Sequence, residues 1–308
     1  MSDVSAELVP TGKVAARANH NRMRDYFALL KPRVMSLVMF TTFVGLMVAP
    51  GEISFLTAVI ALFAIAIGAG ASGALNMWYE ADIDAIMART KNRPIPSGRI
   101  EPNEALVFGS VLAVFSVLTL GFLVNWVAGG LLALTIFYYL FIYTFWLKRR
   151  TPLNIVIGGG AGALPPMIGW AAVTGNVSVE SFILFAIIFL WTPPHFWALA
   201  LYKTGDYGKV GIPMMPVVAG PDKTRQQILV YTIVMLPVTL LPMAFGFAGL
   251  LYGVVGSVLG GVFLWRAWLV YTVRSEPDAK RHANRLFFYS IFYLFALFAL
   301  LLIERVFI

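Results

Sequence analysis

A chain of 308 residues would ordinarily fold as one or two water-soluble domains, yet 59% of this one is hydrophobic, only 12% is charged, and its mean hydropathy is +0.81. That leaves too little polar surface to cover a globule. The net charge of +8 comes from basic residues spread over five juxtamembrane segments, which excludes a nucleic-acid-binding face, and the absence of cysteine excludes disulfides, thiolate catalysis and thiolate metal ligation.

In chain order, residues 1–22 read as a solvated tail. A weakly amphipathic piece, Met23 to Leu30, is expected to lie along the membrane before Lys31-Pro32-Arg33 turns the chain inward. Nine apolar stretches follow, predicted at 34–50, 54–79, 104–124, 126–147, 153–173, 179–202, 227–247, 249–272 and 286–304. Continuous apolar runs lack the alternation of a barrel, so the fold class is an all-α polytopic membrane bundle, with one nine-helix transmembrane domain over 23–308.

Lysine and arginine mark the inner loops. They crowd before the first stretch and after the second, fourth, sixth and eighth, whereas the loops near Pro50-Gly51, Asn125, Thr174-Gly175-Asn176 and Gly246 have none. The N-terminus is therefore expected in the cytoplasm and the C-terminus in the periplasm. A bacterial inner membrane is preferred because no Arg- and Ser-rich, acid-poor presequence precedes the first stretch.

Small residues mark expected close contacts between helices: Gly68, Gly70, Ser72 and Gly73; Gly158, Gly159, Gly160 and Gly162; and Gly249, Gly253, Gly256 and Gly260. Proline pairs at Pro165-Pro166 and Pro193-Pro194 each remove helical hydrogen bonds, so breaks are expected in the fifth and sixth spans, beside an internal chamber.

The segment ALNMWYEADIDAIMARTKNRP places Asn76, Glu80 and Asp84 four residues apart, on one face of a helix. Four residues rise about 6 Å, too far for the three to chelate one ion alone, but well suited to one or two Mg²⁺ completed by water and phosphate oxygens. Asp82 falls off this face and suits a partnership with a loop arginine. Arg89, Lys91 and Arg93 follow closely, and the loop after the sixth span adds Lys203, Asp206 and Lys209. Carboxylates with metal and bases without it could clamp the two ends of a diphosphate, although each basic residue taken singly could equally serve only to orient the chain. His195, in WTPPHFW, is the one histidine inside a span; it could bond a carbonyl freed by the prolines or meet an acidic or metal-containing substrate. His20 and His282 lie in solvated segments and are given no role.

From LKPRVMSLVMF at 30–40 through NMWYEADIDAIMARTKNRPIPSG, TPLNIVIGGGAGALPPMIGW, WTPPHFWALAL and DYGKVGIPMMPVV, the chain resembles the UbiA superfamily of intramembrane prenyltransferases, and within it the branch that farnesylates haem. Met77 stands where many quinone-pathway relatives have Asp, and Asp206 lacks a second Asp four residues away, Val210 and Tyr202 occupying those places. Both departures fit the haem branch better. The resemblance implies a nine-helix bundle with a central chamber open to lipid, farnesyl diphosphate as donor, haem b as acceptor, haem O as product, and haem-processing or terminal-oxidase assembly proteins as partners. It assigns Mg²⁺ to Glu80, Asp84 and Asp206 with Asn76, the diphosphate to Arg89, Lys91, Arg93 and Lys203, and haem to His195. Prenylation of a quinone precursor at the same donor site is the alternative.

Overall fold

Every apolar run predicted to span the membrane is helical in the computed structural model, which describes residues 21–202 and 211–307. The tail up to residue 20, and Lys203, Asp206 and Lys209 of the second polar loop, lie outside the described residues. The helices are α1 (Arg22–Leu29), α2 (Pro32–Val48), α3 (Phe55–Tyr79), α4 (Ala81–Ile86), α5 (Pro102–Leu123) and α6 (Trp126–Phe137). A π-helical segment (Tyr138–Leu147) continues α6, and α7 (Asn154–Ala163), α8 (Pro165–Thr174) and α9 (Val179–Tyr202) follow. The remainder is α10 (Met215–Val218), α11 (Gly220–Thr239), α12 (Leu241–Ala244), α13 (Leu250–Thr272) and α14 (Asp278–Phe307).

Among the described residues, eight helices or joined helix pairs are long and apolar enough to cross a bilayer, and α2, at 17 residues, is the short first span. Span boundaries agree closely with the hydropathy pattern except at α11 and α14, which begin about two turns earlier. Their solvated first turns, GPDKTRQ and DAKRHANR, are helical although polar. Hydropathy marks the lipid-buried length, whereas the helix continues as far as its backbone hydrogen bonds can propagate.

Start signals are local. Ser54 accepts from Thr57 N–H at 3.1 Å and Asn125 from Ala128 N–H at 2.9 Å, and Glu101 with Glu104 forms a capping box around Pro102. The Pro165-Pro166 pair separates α7 from α8 as expected. The expected break at Pro193-Pro194 is not seen, because α9 runs unbroken through both prolines. There α9 is packed on several sides, by α7, α11 and α14, and the surrounding helices hold it straight despite the missing donors.

The first half-bundle packs α3 on α5 and α2 on α8; the second packs α9 against α11 and α14, and α14 returns to α2 to close the ring. Two apolar cores result, one centred on Ala64, Leu120 and Leu132, the other on Leu184, Trp197 and Phe263. Glycines allow backbone contact between α2 and α8: a Cβ at Gly45 would strike the Pro166 carbonyl, and one at Gly169 the Thr42 carbonyl. Gly159 packs instead against the Thr192 side chain, whereas Gly162 meets nothing within 4 Å and is not a packing residue. At the end of the bundle away from residues 76–84, Glu304 accepts from Gly249 N–H at 2.5 Å and Tyr252 N–H at 2.8 Å, so the last helix caps the start of α13.

Candidate functional site

The polar stripe bends at its middle residue. α3 ends at Tyr79 and Glu80 leaves helical geometry before α4, yet Glu80 N–H still bonds to the Asn76 carbonyl at 3.0 Å and Asp84 N–H to the Glu80 carbonyl at 2.8 Å. The three side chains therefore keep a common direction across two helices rather than one. All are buried, at 2% exposure for Asn76, 4% for Glu80 and 3% for Asp84. Polar groups so placed need partners.

Each has a cation. Arg93 Nη1 lies 2.6 Å from Asp84 Oδ2, Lys148 Nζ lies 2.5 Å from Glu80 Oε1, and Lys31 Nζ donates to Asn76 Oδ1 at 2.8 Å. Lys31 reaches inward from a left-handed turn (φ 51°), the one positive-φ non-glycine among the described residues, and Pro32 then starts α2. Burial first, then the charges of Arg93 and Lys148, push the Lys31 ammonium down to about 7, against the pull of Glu80 and Asp84. Three cations thus face two carboxylates, and the crowding of positive charge is felt by the most enclosed of them.

The π-helical segment supplies the other half of the cluster. Its wider turn lets Thr144 Oγ1 donate to the Tyr139 carbonyl five residues back at 2.8 Å, and the same oxygen accepts from Asn76 Nδ2 at 3.2 Å. That fixes which end of the Asn76 amide faces Lys31. Four residues further on, the segment ends and delivers Lys148 to Glu80.

Arg93 is the one predicted diphosphate ligand among the described residues that the structure brings to the acids. Arg89 and Lys91 are exposed and form no ion pair with a described residue. Asp82 faces away and takes a two-pronged contact from Arg149 at 2.9 and 3.1 Å, while the Arg149 guanidinium also covers the Tyr79 ring at 5.2 Å. Burial raises the Asp82 carboxyl, but the Arg149 bonds outweigh it and the net shift is downward. Lys203 and Asp206 lie outside the described residues. The flanks of their loop are described: Ala200, Ile212 and Met214 form one apolar cluster with Ile83 and Met87 of the first polar segment.

Sequence reasoning missed Lys31, Thr144 and Lys148. By sequence, Lys31 and Lys148 read only as charges that orient the chain. The signal available for them was position, each adjoining the inner end of a span, but nothing in the pattern distinguishes a lysine that turns inward from one that stays in water.

The donor set is chemically suited to Mg²⁺: carboxylate and amide oxygens, hard ligands, with no thiol or imidazole among them. No group of three His, Cys, Asp or Glu able to hold a metal occurs among the described residues, so Glu80 and Asp84 need oxygens from elsewhere to complete a shell.

His195 is deeper in α9, seven residues or about 10 Å of helix from Tyr202. It is buried, stacked between Trp191 (centroids 4.2 Å apart, 18°) and Phe287 (4.7 Å, 26°), with Nδ1 2.7 Å from Ser290 Oγ. It does not bond a carbonyl freed by the prolines. On the lipid side, α2 and α14 leave a groove of about 450 Å³ lined by Leu37, Phe40, Phe288, Phe292 and Phe295.

The three cations, two carboxylates and the amide thus meet at one end of a helical bundle. The model described as the UbiA prenyltransferase family matches residues 38–292, and the chain belongs to that family. It is 65% identical over 284 residues to protoheme IX farnesyltransferase of Parvibaculum lavamentivorans (92% of this chain, 89% of that one). It is 63% identical over 282 residues to protoheme IX farnesyltransferase 2 of Mesorhizobium japonicum (92% and 90%). Among solved structures the fold is similar to that of a chain from work on digeranylgeranylglyceryl phosphate synthase (TM-score 0.77, 17% identity, 92% of this chain, 99% of that one). It is also similar to a UbiA homologue from Archaeoglobus fulgidus bound to GPP and Mg²⁺ (TM-score 0.62, 18% identity, 89% and 99%).

Proposed function

We propose that this protein transfers the farnesyl group of farnesyl diphosphate to a vinyl group of haem b, with addition of water, to give haem O and diphosphate. The observation that carries the donor half is the rim cluster, where Lys31, Arg93 and Lys148 meet Glu80, Asp84 and Asn76 at 2.5–2.8 Å. Arg93 and Lys148 balance the two carboxylates, and an added anion would hold the enclosed Lys31, whose ammonium is pushed down to about 7, in its charged form; a diphosphate provides one. The acceptor half rests on the 59–65% identity to chains named protoheme IX farnesyltransferase.

In this reading Glu80, Asp84, Asn76 and Asp206 hold Mg²⁺, which when bound neutralises the diphosphate and makes it a better leaving group. Arg93 and Lys203 grip the diphosphate, and Lys31 and Lys148 join them, with the exposed Arg89 and Lys91 as a second rank. When the C1 to oxygen bond breaks, both electrons leave with the diphosphate, and these fixed cations stabilise the charge that gathers there. The allylic cation is attacked by the terminal vinyl carbon of haem b. Water captures the positive charge left on the neighbouring carbon and loses a proton, giving a hydroxyethylfarnesyl group. The groove between α2 and α14 admits the isoprenoid from lipid, and burial of its chain contributes about 0.8 kcal/mol per CH₂. His195 receives haem.

The same reading sets the protein in a bacterial inner membrane with its rim and N-terminus cytoplasmic and its C-terminus periplasmic. Haem O then passes to haem-processing or terminal-oxidase assembly proteins.

Expression in membranes lacking the activity tests the assignment. Extracted haem should gain the mass of a farnesyl group plus water, and Asp84→Asn should abolish the gain while the protein remains inserted and folded. Unchanged haem beside a prenylated aromatic acid would reject haem as acceptor, and full turnover by Asp84→Asn would remove the cluster from the chemistry.

A further inference from the structure

His195 is neutral or charged, and in the neutral form either ring nitrogen can carry the proton; the choice decides which nitrogen has a lone pair to offer. The surroundings make that choice. Ser290 Oγ lies 2.6 Å from the Phe287 carbonyl, which can only accept, so the single hydroxyl hydrogen is committed there. The same oxygen is 2.7 Å from His195 Nδ1 and has only lone pairs left, so Nδ1 must donate. A second bond holds Ser290 itself in place: Trp191 Nε1 donates to the Ser290 carbonyl at 2.7 Å, tying α9 to α14 at the same residue. Stacking by Trp191 and Phe287 fixes the plane of the ring, and only a nitrogen, not Cδ2, can meet a hydroxyl at this distance. Among the described residues nothing is hydrogen-bonded to Nε2.

We propose that Ser290 is a positioning residue that locks His195 as the Nδ1–H tautomer, so that Nε2 presents its lone pair to the iron of haem. The inference rests on the reading of haem b as acceptor, but its first half concerns this chain alone. An outer hydrogen bond that orients an imidazole and raises its basicity is the device by which proteins prepare histidine for a metal. Here it runs from ring to hydroxyl to helix carbonyl and uses no charged group. That suits a site in the membrane interior, where an acidic partner for the imidazole would be costly to bury.

The chain has three histidines, so the full-length protein carrying His20→Gln and His282→Gln, labelled with ¹⁵N-histidine in lipid nanodiscs, reports on His195 alone. At pH 8, above the ordinary imidazole range, ¹⁵N NMR should show a protonated Nδ1 and a bare Nε2. Ser290→Ala should shift the tautomer ratio toward Nε2–H by roughly tenfold, and Ser290→Thr, which keeps the hydroxyl, should restore it. A protonated Nε2 in the parent protein, or a ratio indifferent to Ser290→Ala, would overturn the lock. Addition of ferric haem b should then broaden or displace the Nε2 resonance and give the optical spectrum of a histidine-ligated haem, with affinity weakened about tenfold in Ser290→Ala. If the tautomer is as stated but haem leaves the Nε2 resonance unmoved, the lock stands and the iron contact is refuted. If the protein neither binds nor modifies haem, it is the proposed acceptor that fails.

Discussion

Thr144→Val separates a hydroxyl from a shape. The side chain is fully buried, the substitution nearly conserves volume, and what disappears is the oxygen that accepts from Asn76 Nδ2 at 3.2 Å and donates to the Tyr139 carbonyl at 2.8 Å. Asn76, at 2% exposure, is left with an amide donor that has no partner. A buried polar group left unsatisfied costs about 1–3 kcal/mol. The amide can escape that cost only by rotating, which takes Oδ1 away from Lys31. If the whole cost falls on the transition state, kcat/KM for farnesyl diphosphate drops roughly 5- to 150-fold. The assay is the initial rate of haem O formation in membranes or detergent, measured across farnesyl diphosphate and Mg²⁺ concentrations. A higher Mg²⁺ requirement should accompany the loss, and Thr144→Ser should stay within about threefold of the parent because the hydroxyl carries the effect. Unchanged kinetics in Thr144→Val, or equal damage in Thr144→Ser, would refute the idea that the π-helical segment orients Asn76.

Three more outcomes follow from the same contacts. Lys148→Met leaves Glu80 buried without its cation, a change that costs about 3–5 kcal/mol, so thermal stability in detergent and binding of farnesyl diphosphate should both fall. Adding Glu80→Gln should recover the stability but not the turnover; if turnover returned, Glu80 would have no part in the chemistry. Glu304→Ala removes the acceptor of two backbone N–H groups at the start of α13, each such bond being worth about 1.5–3 kcal/mol, and should lower the unfolding temperature while leaving KM for farnesyl diphosphate unchanged. Chelation of divalent ions should stop haem O formation and Mg²⁺ should restore it; persistence of the reaction in excess chelator would exclude Glu80 and Asp84 as metal ligands.

By itself the sequence determined what the solvent dictates. Where the chain enters and leaves the bilayer follows from the length of each apolar run, and the bend between α7 and α8 from prolines whose missing donors act locally. The polar stripe at Asn76, Glu80 and Asp84 was legible for the same reason, since hydrogen bonds four residues apart preserve the spacing even where the helix bends at Glu80.

What only the tertiary structure decided is which side chains meet across helices. Lys31, Thr144 and Lys148 are 45, 68 and 68 residues from Asn76, Asn76 and Glu80, and the last two arrive through a π-helical segment that has no signature in the order of its residues. Pro193 and Pro194 show the converse: their local preference for a break is overruled by the helices packed around α9. Propensity and hydropathy act over a few neighbours, whereas the direction of a lysine or the straightness of a helix depends on every surface it is packed against.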